Sequence, residues 1–214
     1  MKRYSAGILT LGLLSLTSLA MGQMGQQVAP ENVRPTGVTY RYVYGDNLDA
    51  GLSFFQQQET DRWCWAATAA MIMAFHGQRQ WLQCIQADDS FPGKTDPLTC
   101  CDDKESPLCN RTGWPHFERY GFTFKIKAEP LEWNEVVEQI DRHLPLAVAV
   151  KFFTGGGHMG AVIGYQIAAD GEQVVLVIDP DGFHGAALLK FNHLFGEAAD
   201  GAYRHWMTYY DIQR

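Results

Sequence analysis

The cysteine count constrains this sequence most: the chain of 214 residues holds five, an odd number. Cys84, Cys100, Cys101 and Cys109 fall within one segment, while Cys64 stands alone upstream. Whether such a cluster means cross-links or a metal site depends on the compartment, because disulfides persist where the surroundings are oxidising. The start of the chain speaks to that. Lys2 and Arg3 precede an uncharged, apolar or small-sided stretch from Ala6 to Leu19, and Ser18-Leu19-Ala20 offers small residues for cleavage after Ala20. Residues 1–20 therefore read as a secretory signal peptide, too short and too small-sided for a comfortable membrane span. An uncleaved N-terminal anchor is the alternative. No cysteine lies near the cleavage site, so lipid attachment there is not expected. The expected destination is secreted or periplasmic.

In that setting four clustered cysteines imply two disulfides, with three possible pairings. Cys100 and Cys101 are adjacent, and a bridge between neighbours is strained, so each is expected to pair with Cys84 or Cys109, in an order left open. A zinc site built from these cysteines and His116 competes, but the usual Cys-x-x-Cys pairs are missing. Either way Cys64 is left over. It is either an inert, buried small hydrophobe or a reactive thiol.

Its surroundings favour reactivity. The segment from about Asp61 to His76 reads as a helix, with Thr60 or Asp61 as its N-cap and Gly77 as its stop. It is apolar on nearly all sides, which marks a buried central helix. Cys64 then sits in the first turn, where the helix dipole and free N–H groups favour a thiolate, between Trp63 and Trp65.

The rest of the chain divides in order. Residues 21–37 are a flexible tail, polar and with two prolines between Gln23 and Pro35, and residues 38–214 form one domain. Val38 to Tyr44 reads as a strand. Residues 78–121 show weak periodicity and are expected to be a loop-rich, disulfide-held insert. Pro130 to Leu144 reads as a second helix, with Trp133, Val136, Val137, Ile140 and Leu144 on one face. Strands follow over Leu146–Phe153, His158–Ile167 and Gln173–Asp179, with a hairpin turn at Asp170-Gly171. Two more are expected at Ala186–Phe191 and Trp206–Ile212. Helices first and antiparallel strands second indicate an α+β fold. Hydrophobic residues make up 46% of the chain and charged ones 19%, which excludes a disordered chain. A formal charge of −7 speaks against nucleic-acid binding through phosphate contacts. No later stretch is apolar enough for a bilayer, so no membrane contact is expected after signal cleavage. A monomer is expected.

A thiolate nucleophile needs an imidazole partner and a group that fixes the imidazole. Among seven histidines, His158 stands out because it opens a strand directly after Gly155-Gly156-Gly157. Asp179 ends the next strand, and the Asp170-Gly171 hairpin brings the two to the same end. Asp181 competes with Asp179 but reads as a turn residue before Gly182. Acyl transfer also needs oxyanion donors. The Cys64 N–H is one, and Gln58, the last of three glutamines before the helix, offers a side-chain amide.

Three segments, Gln58-x5-Cys64-Trp65-Ala66-Ala67, then Gly157-His158-x-x-x-Val162-Ile163-Gly164-Tyr165, then Val177-Ile178-Asp179-Pro180, together resemble the bacterial papain-like cysteine peptidases. The likeness is to the branch containing an avirulence effector protease of plant pathogens, and it spans roughly residues 50 to 185. It implies a helical half carrying Cys64 packed on a β half carrying His158, with the cleft between them. It also implies that Cys64 is the nucleophile, His158 the base, Asp179 the orienting group and Gln58 an oxyanion donor. The substrate is then a protein or peptide, and no cofactor or metal is needed. The sequence departs from the family in its large disulfide-rich insert and in Met159, where a small residue is more usual after the histidine.

The same machinery also serves other acyl bonds, as in an amidase on cell-wall peptides, a deamidase or a transglutaminase. An inactive secreted interaction protein is the alternative outside enzymology. Two other patterns fail on context. Gly155-x-Gly157-x-x-Gly160 fits a dinucleotide fingerprint but leads into a strand rather than a helix. Asp179-x-Asp181 lacks the remaining ligands of a calcium loop.

Overall fold

A computed structural model describes residues 26–27, 37–45, 48–91, 99–181, 185–198 and 200–214. The expected signal peptide lies outside the described residues, and so does the expected tail apart from Gln26, Gln27 and Gly37. The strands are β1 (Gln26–Gln27), β2 (Thr39–Tyr42), β3 (Thr123–Lys127), β4 (Leu146–Phe152), β5 (Gly157–Ile167), β6 (Gln173–Ile178), β7 (Ala187–Lys190) and β8 (Tyr203–Gln213). They form one sheet in the order β1-β7-β6-β5-β4-β8-β3, with β2 also paired to β5. Every pairing is antiparallel. The helices are α1 (Leu48–Leu52), α2 (Cys64–Phe75), α3 (Gln83–Ser90), α4 (Trp133–Asp141) and α5 (Phe191–Leu194), with a 3-10 turn at Phe117–Tyr120. The fold is α+β, as the order of patterns along the chain implied.

Strand β5 is the hub. On one edge it meets β6, and on the other it meets β4 over residues 157–162 and β2 over residues 164–167. Its middle, from Met159 to Tyr165, is buried, which explains the near-continuous apolar run in sequence. Gly164 is required where β2 crosses, because a side chain there would run into the backbone of Arg41 and the ring of Tyr42.

Helix α2 packs against this strand. From Trp65 through Ala74 every residue is buried, so the helix is apolar all round because it has no outer face. Fully burying side chains such as Met71, Ile72 and Met73 stabilises the fold by about 1.5–3 kcal/mol each. The buried Thr68 hydroxyl donates to the Met159 carbonyl oxygen (3.0 Å), which fixes helix against strand one residue beyond His158.

The helix ends as expected, with Gly77 at φ 80° and the Gly77 and Gln78 N–H groups donating to Ala74 and Met73. Its start differs. Neither Thr60 nor Asp61 is the N-cap: the helix begins at Cys64, Trp63 precedes it, and no side chain caps it. Asp61 instead accepts a hydrogen bond from Asn110 (2.7 Å), and Thr60 is buried. The later start makes Cys64 the first helical residue.

The insert contains more structure than its weak periodicity suggests. Helix α3 turns Gln83, Cys84, Gln86 and Ala87 inward, a face without large aliphatics that a hydrophobic pattern does not register. Cys84 pairs with Cys101 and Cys100 with Cys109, so the two adjacent cysteines go to separate partners. Strand β3, Thr-Phe-Lys-Ile-Lys, is largely exposed and lies at the end of the sheet, where lysines discourage further pairing. Helix α4 is shorter than the span from Pro130 to Leu144. It opens on a reciprocal capping pair, Glu132 and Glu135, and buries Val136 and Ile140 completely. Among the described residues no helix is long and apolar enough to cross a membrane.

Candidate active site

The helical and β halves meet at the N-terminus of α2. Cys64 is a free cysteine and half-buried there. As the first helical residue its N–H has no acceptor within the helix, and the positive end of the helix dipole lies at its sulfur. Its neighbours Trp63 and Trp65 are 0% and 1% exposed, so they do not line a cleft. Their indole N–H groups donate to the carbonyl oxygens of Cys109 (2.9 Å) and Arg111 (3.2 Å). The flanking tryptophans therefore pin the disulfide-bridged loop to the base of the nucleophile helix.

His158 is the second residue of β5, and Asp179 directly follows β6. The turn that joins the strands, at Gly171 with φ 86°, lies at the other end of the hairpin. The Nε2 atom of His158 and Oδ1 of Asp179 are 2.6 Å apart. That oxygen also accepts the Asp181 N–H (2.8 Å), so Asp181 acts through its backbone in the turn rather than through its carboxylate. With Nε2 engaged by Asp179, Nδ1 is the ring nitrogen left to face Cys64, whose thiol interacts with the imidazole. Gly157 is needed just before, since a side chain there would meet the Val150 carbonyl oxygen and the Trp206 ring.

Burial disfavours a charged imidazole, but the hydrogen bonds and charges of Asp179 and Cys64 outweigh it and push His158 up to about 10. Burial likewise opposes the Asp179 carboxylate, but the hydrogen bond and charge of His158, together with the hydrogen bond from the Asp181 N–H, outweigh it and hold the group below its ordinary value. The site therefore stabilises an imidazolium beside the Asp179 carboxylate.

Gln58 approaches from the other side. Its backbone N–H donates to the carbonyl oxygen of Pro180 (2.9 Å), the residue after Asp179. Its Oε1 atom is buried with no hydrogen-bond partner among the described residues, so the amide is not consumed by a structural role on that side. The structure thus joins His158 to Asp179 directly and ties the Gln58 backbone to Pro180 beside them, with Cys64 acting on the His158 ring. Met159 is buried with its carbonyl on Thr68, away from the imidazole's partners.

The other histidines lie elsewhere. His116 faces Glu118 (3.2 Å), His143 hydrogen-bonds the Val43 carbonyl (2.8 Å) and His205 pairs with Thr208 (2.8 Å). His76 and His205 are held below their ordinary value by burial. His184 lies outside the described residues. The sulfurs of Cys100 and Cys109 lie with an Asp88 oxygen in a group of possible ligands, but both are spent in their disulfide and offer no thiolate to zinc. One contributor to the site escaped the sequence pattern altogether: the buried Gln83 of α3, whose amide touches the backbone on both sides of Gln58.

A protein-family model described as papain-like cysteine protease AvrRpt2 matches residues 48–194, a span that holds all four of these residues and more than half of the chain. No curated protein matches the sequence significantly.

Proposed function

Since the chain belongs to the papain-like cysteine protease family typified by AvrRpt2, we propose that it hydrolyses peptide bonds in protein substrates with Cys64 as nucleophile. The observation that carries the proposal is the hydrogen bond of 2.6 Å between His158 and Asp179, beside a free, half-buried Cys64 that acts on the same imidazole. The Cys64 thiolate attacks the carbonyl carbon, forming a C–S bond while the carbonyl π electrons move onto oxygen. The Cys64 N–H and the Gln58 amide donate to that oxyanion. His158 delivers its proton to the departing amine as the C–N bond breaks, leaving a thioester. A water, deprotonated by His158, then attacks the thioester and releases the acid product and the thiolate. Asp179 keeps the ring oriented and its charge balanced throughout. Every catalytic group in the cycle is a side chain or backbone N–H of the chain, and the steps call for no cofactor.

Two disulfides beside a leader-like N-terminus support export to an oxidising compartment, secreted or periplasmic. The test compares the wild type with Cys64→Ala on a peptide library and on peptidoglycan. Peptide cleavage by the wild type alone is expected. Turnover of peptidoglycan alone would replace the peptidase reading with a cell-wall amidase. Turnover of neither would favour a binding protein.

A further inference from the structure

The backbone around Gln58 is not held by burial, because Gln57 and Glu59 on either side are exposed. It is held by hydrogen bonds from two directions. On one side the Gln58 N–H donates to Pro180 (2.9 Å). On the other, the side chain of Gln83, 2% exposed, reaches both neighbours. Its Nε2 donates to the Gln57 carbonyl oxygen (2.8 Å), and its Oε1 accepts the Glu59 N–H (3.0 Å). In an extended chain the carbonyl before a residue and the N–H after it point the same way, opposite to that residue's own N–H. The Gln83 amide therefore takes the place of a neighbouring strand. It fixes the backbone on both sides of Gln58 against α3, opposite the hydrogen bond to Pro180.

The same helix is locked to the nucleophile. Gln86, one turn further, is 1% exposed and donates from Nε2 to the Ala66 carbonyl oxygen of α2 (3.1 Å). Cys84, between the two glutamines, carries the bridge to Cys101. We propose that Gln83 is a positioning residue for the oxyanion hole, setting the Gln58 amide at a fixed place relative to Cys64. The proposal rests on the peptidase reading above. It requires an amide specifically, since only a side chain with both a donor and an acceptor satisfies the two backbone groups.

The test uses the mature, disulfide-bonded protein and the best-cleaved peptide of the library. Removing one oxyanion donor outright costs about 10²–10³ in kcat, so loosening it through Gln83→Ala is expected to lower kcat about 10- to 100-fold with KM little changed. Gln83→Glu keeps size and the acceptor but loses the donor to Gln57, and the same loss is expected; it carries the test if Gln83→Ala does not fold. Two readouts separate positioning from a general structural role. Alkylation of Cys64 by iodoacetamide should keep its wild-type rate and pH profile, because the Cys64–His158 pair does not involve Gln83. In a Gln58→Ala background the Gln83 substitutions should have almost no further effect on kcat. Unchanged kcat, an equal loss in both backgrounds, or a parallel fall in alkylation would overturn the positioning role alone. Wild-type protein that cleaves no peptide overturns the peptidase reading and this role with it.

Discussion

His158 and Asp179 meet at 2.6 Å across the open end of the β5–β6 hairpin, one ring nitrogen against one carboxylate oxygen. The distance is that of a strong, charge-assisted hydrogen bond. The same oxygen receives the Asp181 N–H, so the carboxylate is fixed before it fixes the ring. The nucleophile helix comes to this hairpin through Thr68 and Met159, and Gln58 comes to it through Pro180. The strand pair is thus the common reference for all four groups.

Removing Asp179 should therefore act through the imidazole. In Asp179→Ala the ring loses its orienting partner and the charge that raises its pKa. We expect kcat/KM to fall about 10²-fold or more, in line with the cost of losing the orienting carboxylate in related triads. Alkylation of Cys64 by iodoacetamide, fast at mildly acidic pH in the wild type, should slow markedly in Asp179→Ala and further in His158→Ala. Equal, slow alkylation in the wild type and His158→Ala would sink the ion-pair reading.

Much of this was legible in the sequence because its signals are local. The glycines before His158, the hairpin turn at Asp170-Gly171 and the apolar helix after Cys64 each carry their own geometry. Other parts had no local signal. Helix α3 buries glutamines and a cysteine, so neither its existence nor the reach of Gln83 to Gln57 and Glu59 shows as periodicity. Strand β3 alternates lysine with partly exposed apolar residues and is defined by its partner β8. The start of α2 was misplaced because Asp61, a good cap in isolation, is taken by Asn110, a contact from far along the chain. The disulfide order likewise needed the three-dimensional path of the insert.

The histidines divide by sign, and stability against pH should show it. His158 has a raised folded pKa, so its contribution is fully present below its ordinary 6.5 and is lost only as pH rises through the raised value. Asp179 has a lowered one, so its contribution is present above 3.8 and lost as pH falls through the folded value. Between pH 7 and 5 the Asp179 contribution changes little, while that of His158 grows modestly as pH falls through 6.5 and opposes the other histidines. His76 and His205 are buried and held low, so the folded state resists their protonation and loses stability as pH falls below 6.5. The melting temperature should drop from pH 7 to 5, and the drop should shrink in His205→Gln. A drop of the same size in that variant would show that His205 is not its source.

The pairing Cys84–Cys101 and Cys100–Cys109 leaves Cys64 as the free cysteine. Intact mass before and after reduction should register two disulfides, and alkylation without reduction should label Cys64 alone. Peptide mapping of the oxidised protein should recover these two linkages and no link from Cys84 to Cys109. Breaking one bridge, as in Cys100→Ala with Cys109→Ala, should destabilise the protein by about 2–4 kcal/mol, read from denaturant unfolding. A bridge that includes Cys64 would remove the nucleophile from the scheme altogether.

Gly113 offers a test of how the insert is seated. A methyl group placed there would stand 2.7 Å from the Trp65 ring, whose indole is anchored on the Arg111 carbonyl two residues earlier. Trp65 is 1% exposed and packs edge-on against Phe91, so the ring has little room to retreat. Gly113→Ala should cost about 1–3 kcal/mol through overpacking. Because Trp65 adjoins Cys64, the strain should also reach the nucleophile and lower kcat. Gly121 provides the control: it has φ 79° but nothing near its missing side chain, so Gly121→Ala should lose stability through backbone strain alone and leave kcat at the wild-type level. A Gly113→Ala protein with wild-type stability would mean that the Trp65 ring is free to shift, and that the insert is not clamped where the indole hydrogen bonds place it.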